Sequence, residues 1–123
     1  MILVDTSIWI DHLRRGNERL LRMLEQGQVL IHPYVIGEVA LGNLRNRAAI
    51  LSALHDLPQA AVATDGEVLR FVHQNTLYGV GIGYIDAHLL AAVRLSPRAT
   101  LWTGDRRLLA AGKSLGLAEN EIH

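Results

Sequence analysis

Cysteine is absent from the 123 residues, which excludes a disulfide framework and any thiolate metal site. No apolar run reaches membrane-spanning length, and the apolar start is too short and too poor in basic residues for a signal peptide. A soluble, cytoplasmic protein is the expectation. Net charge is missing as well: 12 basic and 12 acidic side chains cancel, so no global field draws nucleic acid or anionic lipid toward the molecule. A polyanion has to be attracted locally. There is no internal repeat, linker or low-complexity segment. What remains is 50% hydrophobic and long enough for one core but not two, so residues 1–123 read as a single domain.

Short apolar runs alternate with helical spacing. ILVD at 2–5 reads as a buried strand, followed at once by a helical stretch from Ser7 to about Leu13. Asn17 is placed to cap a helix carrying Leu20, Leu21 and Leu24, with Gly27 as its stop. VLI at 29–31 is the next strand. Pro33 suits the first turn of a helix to about Arg45, and Asn46 caps another that ends before Pro58. AAVA at 60–63 gives a weak strand, and Asp65 caps a helix running toward Tyr78. Gly79, Gly81 and Gly83 interrupt the chain, Tyr84 to Leu95 is helical, TLWT at 100–103 is a strand, and a helix runs from Asp105 to Ala111. The tail LAENEIH supplies a last short edge strand. This alternation predicts an α/β sandwich around a mostly parallel sheet of four or five strands.

Most acidic residues lie in polar company; Asp5, Glu38, Asp86 and Asp105 do not. Asp5 ends ILV, Glu38 sits in YVIGEVALG, Asp86 in GYIDAHLLAAV, and Asp105 follows LWTG. Asp86 shares a helix face with Leu89, Leu90 and Val93, so its carboxylate is on the core-facing stripe. Asp5 and Asp105 fall at or just past the C-terminal ends of strands, the edge of an open α/β sheet where ligands bind. Asp86 and Asp105, taken alone, read equally well as helix caps. Together, like charges under partial burial need a positive compensator, and no Lys or Arg is embedded in these runs. A hard divalent cation, Mg²⁺ or Mn²⁺, suits oxygen-only ligands. Carboxylate-held Mg²⁺ mostly serves phosphate chemistry by activating a water and screening developing charge. Thr6, Ser7 and Thr103 then hydrogen-bond the carboxylates or waters on the metal, or else form turns.

VDTSIWIDHLR at the start, the isolated Glu38, GIGYIDAHLLAA at 81–92 and LWTGDRRL at 101–108 resemble the PIN-domain family, and more narrowly the VapC toxins of bacterial toxin–antitoxin pairs. The resemblance covers nearly the whole chain in the family's order. It implies a PIN-like three-layer sandwich and makes Asp5, Glu38, Asp86 and Asp105 the acidic quartet that binds Mg²⁺ or Mn²⁺. It further implies an endoribonuclease acting on transfer or ribosomal RNA, silenced by a VapB-type antitoxin. A homodimer is implied too, as is operator DNA binding only through the antitoxin complex. Arg14, Arg15, Arg106 and Arg107 are candidates for steering the RNA backbone.

Three rival readings fit parts of the sequence. A metal-free ribonuclease would use His12, His32 or His88 as acid and base, although nothing in the sequence pairs two of them. A dinucleotide-binding loop at GVGIGYID fails on glycine spacing and on the lack of a preceding strand. A catalytically silent PIN-fold module would bind RNA or protein without cutting. A hydrophobic patch around Ile8, Trp9 and Leu13 would be its partner groove, unless those residues are core.

Overall fold

Ile2, Leu3 and Val4 form the middle strand of a wholly parallel sheet, in a computed structural model that describes residues 1–119. This strand, β1 (Ile2–Val4), is followed by α1 (Thr6–Arg15), α2 (Glu18–Glu25), β2 (Val29–Leu30), α3 (Pro33–Ala40), α4 (Arg47–His55), α5 (Asp65–Gln74), α6 (Tyr84–Leu95), β3 (Thr100–Trp102) and α7 (Arg106–Ser114). The strand order is β2-β1-β3. Ile2 and Leu3 pair with Val29 and Leu30 on one side; Ile2, Leu3 and Val4 pair with Thr100, Leu101 and Trp102 on the other. Helices cover both faces, which is why these strands read as continuous apolar runs and not as alternating ones. Leu3 and Val4 are fully buried, and Val35, Val39, Leu89, Leu90 and Leu108 pack in the same core.

Among the described residues the sheet has three strands, against the four or five expected. At the β2 edge, Ile31 donates its N–H to the Pro58 carbonyl and accepts from the Ala60 N–H, each at 2.9 Å, which makes a single bridge to Gln59. The strand expected at 60–63 stops there because the Ala61 N–H donates to the Ser96 hydroxyl (2.9 Å) and not to a neighbouring strand. At the β3 edge, Leu101 bridges to Ala118. The remainder of the tail strand, beyond 119, lies outside the described residues.

Several helix ends shift from their sequence assignments. The α5 helix is capped by Thr64, not Asp65: Thr64 Oγ1 accepts from the Glu67 N–H (3.1 Å) and Glu67 Oε1 accepts from the Thr64 N–H (2.8 Å). This reciprocal box satisfies two orphan donors, which frees Asp65 for another task. Asn17 does cap α2, accepting from the Leu20 N–H at 3.0 Å. Asn46 sits in the left-handed region (φ 53°) and makes no side-chain cap bond. The α3 helix ends at Ala40, well before Arg45, as the Gly42 N–H turns back to the Val39 carbonyl (3.1 Å).

A histidine caps α3. His32 is fully buried, and its Nδ1 accepts the Tyr34 N–H at 3.0 Å. That requires the neutral ring, because a second proton would remove the acceptor and set positive charge at the positive end of a helix. Burial, and then the neighbouring His88, lower its pKa from 6.5 to about 4. Unfolded His32 takes its proton near 6.5, so the unfolded chain binds more protons between that pH and 4. Stability is therefore intact above 6.5 and declines as pH falls toward 4, by at most about 3 kcal/mol. His32→Asn, whose amide oxygen also caps, should lose this component. Urea midpoints at pH 7 and pH 5 for both proteins test it: an equal decline in the two would place the acid sensitivity elsewhere.

Candidate functional site

Asp5 follows the last residue of β1 and opens α1, so its carboxylate stands at the C-terminal edge of the sheet. It is only 7% exposed, and donors take both oxygens. Oδ1 accepts the Thr6 N–H at 2.7 Å; Oδ2 accepts the Thr103 hydroxyl at 2.7 Å and the Ser7 hydroxyl at 3.1 Å. Thr103, just past β3, is itself buried and accepts the Asp105 N–H on the same oxygen (3.0 Å), while the Gly104 N–H donates to Ser7 Oγ (3.3 Å). The residue types and their order thus tie the ends of two adjacent strands together.

The other three acids are each held by one oxygen. Glu38, half-buried on α3, accepts the Thr6 hydroxyl on Oε1 at 2.9 Å. Asp86, half-buried in the first turn of α6, accepts the Gly83 N–H on Oδ2 at 3.0 Å. Asp105 caps α7, with Oδ1 accepting the N–H groups of Arg107 (2.9 Å) and Leu108 (3.0 Å). Among the described residues the second oxygen of each takes no protein donor. The cap reading and the ligand reading of Asp86 and Asp105 are therefore compatible: one oxygen positions the side chain, and the other remains.

Burial pushes the Asp86 carboxyl up from its ordinary range; the Gly83 N–H opposes this, and the charges of Asp5, Asp105 and Glu38 add to the rise. The other three acids therefore act electrostatically on Asp86. They do not form a closed cage, since among the described residues no three acidic or imidazole side chains are gathered tightly enough to hold a metal by themselves. An open oxygen-only arrangement fits Mg²⁺ or Mn²⁺ all the same. Mg²⁺ keeps several waters and usually takes one or two carboxylates, unlike a structural metal in an all-protein cage.

The PIN domain family model matches residues 2–114. The chain belongs to the PIN domain family. Within PIN domains it falls with the VapC group. It is 48% identical over 118 residues to Ribonuclease VapC32 of Mycobacterium tuberculosis, in both strain CDC 1551 / Oshkosh and strain ATCC 25618 / H37Rv. The match covers 96% of this chain and 95% of each relative.

The structure gives the histidines other work. His12 accepts the Asn17 N–H at 2.9 Å and His32 caps α3. The Nε2 of His88 lies 3.0 Å from Asp65 Oδ1, which also accepts the Tyr84 hydroxyl at 2.6 Å. The fold does pair two histidines that the sequence left apart, with the His32 and His88 rings 6.4 Å between centroids. Both are buried, which keeps them from substrate. The Asp65–His88–Tyr84 contact escaped sequence reading; TDGE, a Thr with Glu three residues on, would have moved the cap to Thr64 and left Asp65 to be explained.

Of the proposed steering arginines, Arg15 is tied to Asp11 one turn away (2.6 Å), and Arg14 lies nine residues along α1 from Asp5, about 13 Å at 1.5 Å per residue. Neither stands at the acids. Arg106 and Arg107 do, in the first turn of α7 and exposed. Trp9 belongs to the core and not to a partner patch. Leu13 lines a groove of about 630 Å³ with Ile10, Leu44 and Ile50, flanked by Arg14 and Arg45.

Repulsion among the acids opposes folding, so Asp86→Asn, which keeps an acceptor for Gly83, should raise the urea midpoint of the metal-free protein at pH 7. Thr103→Val should lower the midpoint, with a loss of about 1–3 kcal/mol in unfolding free energy, because it strips a donor from buried Asp5. Equilibrium unfolding in EDTA measures both; a destabilised Asp86→Asn would mean that the charge is compensated within the protein.

Proposed function

We propose that this chain is a Mg²⁺- or Mn²⁺-dependent endoribonuclease and the toxin of a toxin–antitoxin pair. In this reading it hydrolyses phosphodiester bonds of transfer or ribosomal RNA and is silenced by a VapB-type antitoxin. Membership of the PIN family and the similarity to a protein named as a ribonuclease support the activity. The observation that supports the chemistry is the nearness of Asp5, Glu38 and Asp105 to Asp86, whose carboxyl is pushed up first by burial and further by their charges.

Asp5, Asp86 and Asp105 would hold the cation, with Glu38 beside them. A cation there supplies Lewis acidity, making a water nucleophilic at neutral pH and screening charge on the phosphate. The chain's own part is orientation. Thr103 and Ser7 fix the Asp5 carboxylate, Thr6 fixes Glu38, and the N-termini of α6 and α7 hold Asp86 and Asp105. A carboxylate held this way does not have to be ordered when substrate arrives. Nothing in this chemistry requires a 2′-hydroxyl; RNA is preferred because of the relatives.

The antitoxin reading is supported by the groove between α1 and the α3–α4 loop. Its walls are Ile10, Leu13, Leu44 and Ile50 and its flanks are Arg14 and Arg45, which suits an amphipathic segment with acidic edges. A homodimer of the 13.6 kDa chain is part of the proposal, as is operator binding only through the antitoxin.

With a mixed transfer and ribosomal RNA pool, we expect discrete cuts with 5′-phosphate ends in Mg²⁺. The cuts should vanish in EDTA and fall by about 100-fold or more in Asp86→Asn. Cutting that survives EDTA, or products with cyclic phosphates, would sink the metal mechanism. The double charge reversal Arg14→Glu with Arg45→Glu should weaken antitoxin binding by about tenfold or more in calorimetry, leaving RNA cleavage by the free toxin intact.

A further inference from the structure

The glycine-rich segment before α6 makes one close contact with α7, which a Cβ would push aside. Gly81 has φ +85°, and a Cβ there would lie 2.7 Å from Arg107 Cδ, 2.8 Å from Nη1 and 3.1 Å from Nε. The Arg107 side chain is therefore packed flat on the Gly81 backbone. Its location is fixed at both ends by the acids: the Arg107 N–H donates to Asp105, and the Gly83 N–H, two residues beyond Gly81, donates to Asp86. Yet among the described residues the guanidinium forms no ion pair; the only pairs are Arg15–Asp11 and His88–Asp65. None of its side-chain N–H groups donates to a protein acceptor there either. An exposed guanidinium resting on Gly81, in the first turn of the helix that Asp105 caps and with its planar donor fork unspent, is placed to grip something that is not part of the described chain.

We infer that Arg107 is a short-range phosphate-gripping residue, that it binds a phosphate of the RNA backbone next to the acidic site, and that Gly81 is the residue that makes room for it. The guanidinium fork matches two non-bridging phosphate oxygens, which a lysine ammonium does not. The inference rests on the ribonuclease reading and gives Arg107 a specific contact in place of long-range steering.

The test combines Arg107→Ala, Arg107→Lys, Gly81→Ala and the double variant Gly81→Ala with Arg107→Ala. Two readouts are needed: binding of a short fluorescein-labelled single-stranded RNA in EDTA, followed by anisotropy over a range of salt, and steady-state cleavage in Mg²⁺. Arg107→Ala should weaken RNA binding and raise KM by about 10- to 100-fold while moving kcat little. It should also reduce the slope of log Kd against log salt by about 1. Arg107→Lys should restore the slope but only part of the affinity. Gly81→Ala should weaken RNA binding in the wild-type background and add nothing in the Arg107→Ala background, whatever it does to stability through its positive φ.

Unchanged affinity and slope in Arg107→Ala would overturn the proposal, as would a Gly81→Ala loss of equal size in both backgrounds. An Arg107→Ala protein that keeps its RNA affinity and loses only antitoxin affinity would assign the fork to a partner carboxylate and overturn it too. Wild-type protein that neither binds nor cuts RNA overturns the ribonuclease reading itself, and this is seen before any variant is compared.

Discussion

An ionised carboxylate at the end of a buried strand is tolerated only when its oxygens are taken, and Asp5 meets that requirement with donors from three places in the chain. The Thr6 N–H starts α1, the Ser7 hydroxyl links to the loop after β3, and the Thr103 hydroxyl comes from the end of β3 itself. The requirement therefore does more than satisfy one side chain. It brings the ends of β1 and β3 level, which the backbone continues with the Asp5 N–H on the Trp102 carbonyl at 2.9 Å. Once Thr103 is fixed, Asp105 two residues later has nowhere to go but the same edge. A single buried acid thus sets the position of a second.

The remaining acids arrive on helices, each held through one oxygen: Glu38 by the Thr6 hydroxyl of α1, and Asp86 by the Gly83 N–H at the start of its own helix. This economy has a physical consequence: the groups that make the site are the ones that repel one another. Asp86 registers the repulsion most because burial already disfavours its charge. The surrounding structure withstands it through an apolar body, with α6 buried from Ala87 to Val93 and Leu3 and Val4 sealed beneath. Local strain of this kind is carried by function and offset by packing elsewhere.

The sequence made the strands β1, β2 and β3 visible because they are buried on both faces, and α6 visible because its apolar period is unbroken. The acidic residues stood out for the same reason, each being a charge in apolar company. What stayed hidden was anything that depends on which of two partners a backbone group chooses. The 60–63 strand failed because Ser96, distant in sequence, captured the Ala61 N–H. Asp65 looked like a cap but serves His88 and Tyr84, since Thr64 does the capping. The quartet was legible as residue types, but its openness was not, because spacing along a chain does not reveal how closely side chains approach.

A neutral protein with an acidic centre faces a difficulty with a polyanion, and the arginines show how it is met. Several of them are placed elsewhere. Arg15 pairs with Asp11, Arg19 lies over the Trp102 ring at 4.4 Å, Arg94 lies over Phe71 at 5.4 Å, and Arg14 and Arg45 flank the groove. Stacked or paired guanidinium groups contribute packing and little field. Attraction of an RNA backbone then falls to the cation the acids would hold and to the few arginines left beside them, and Arg107 is the one the backbone of Gly81 has been shaped to receive. On the proposed reading both attractions act beside the acids, so RNA would be drawn to where the chemistry happens, which a uniformly basic surface would not achieve.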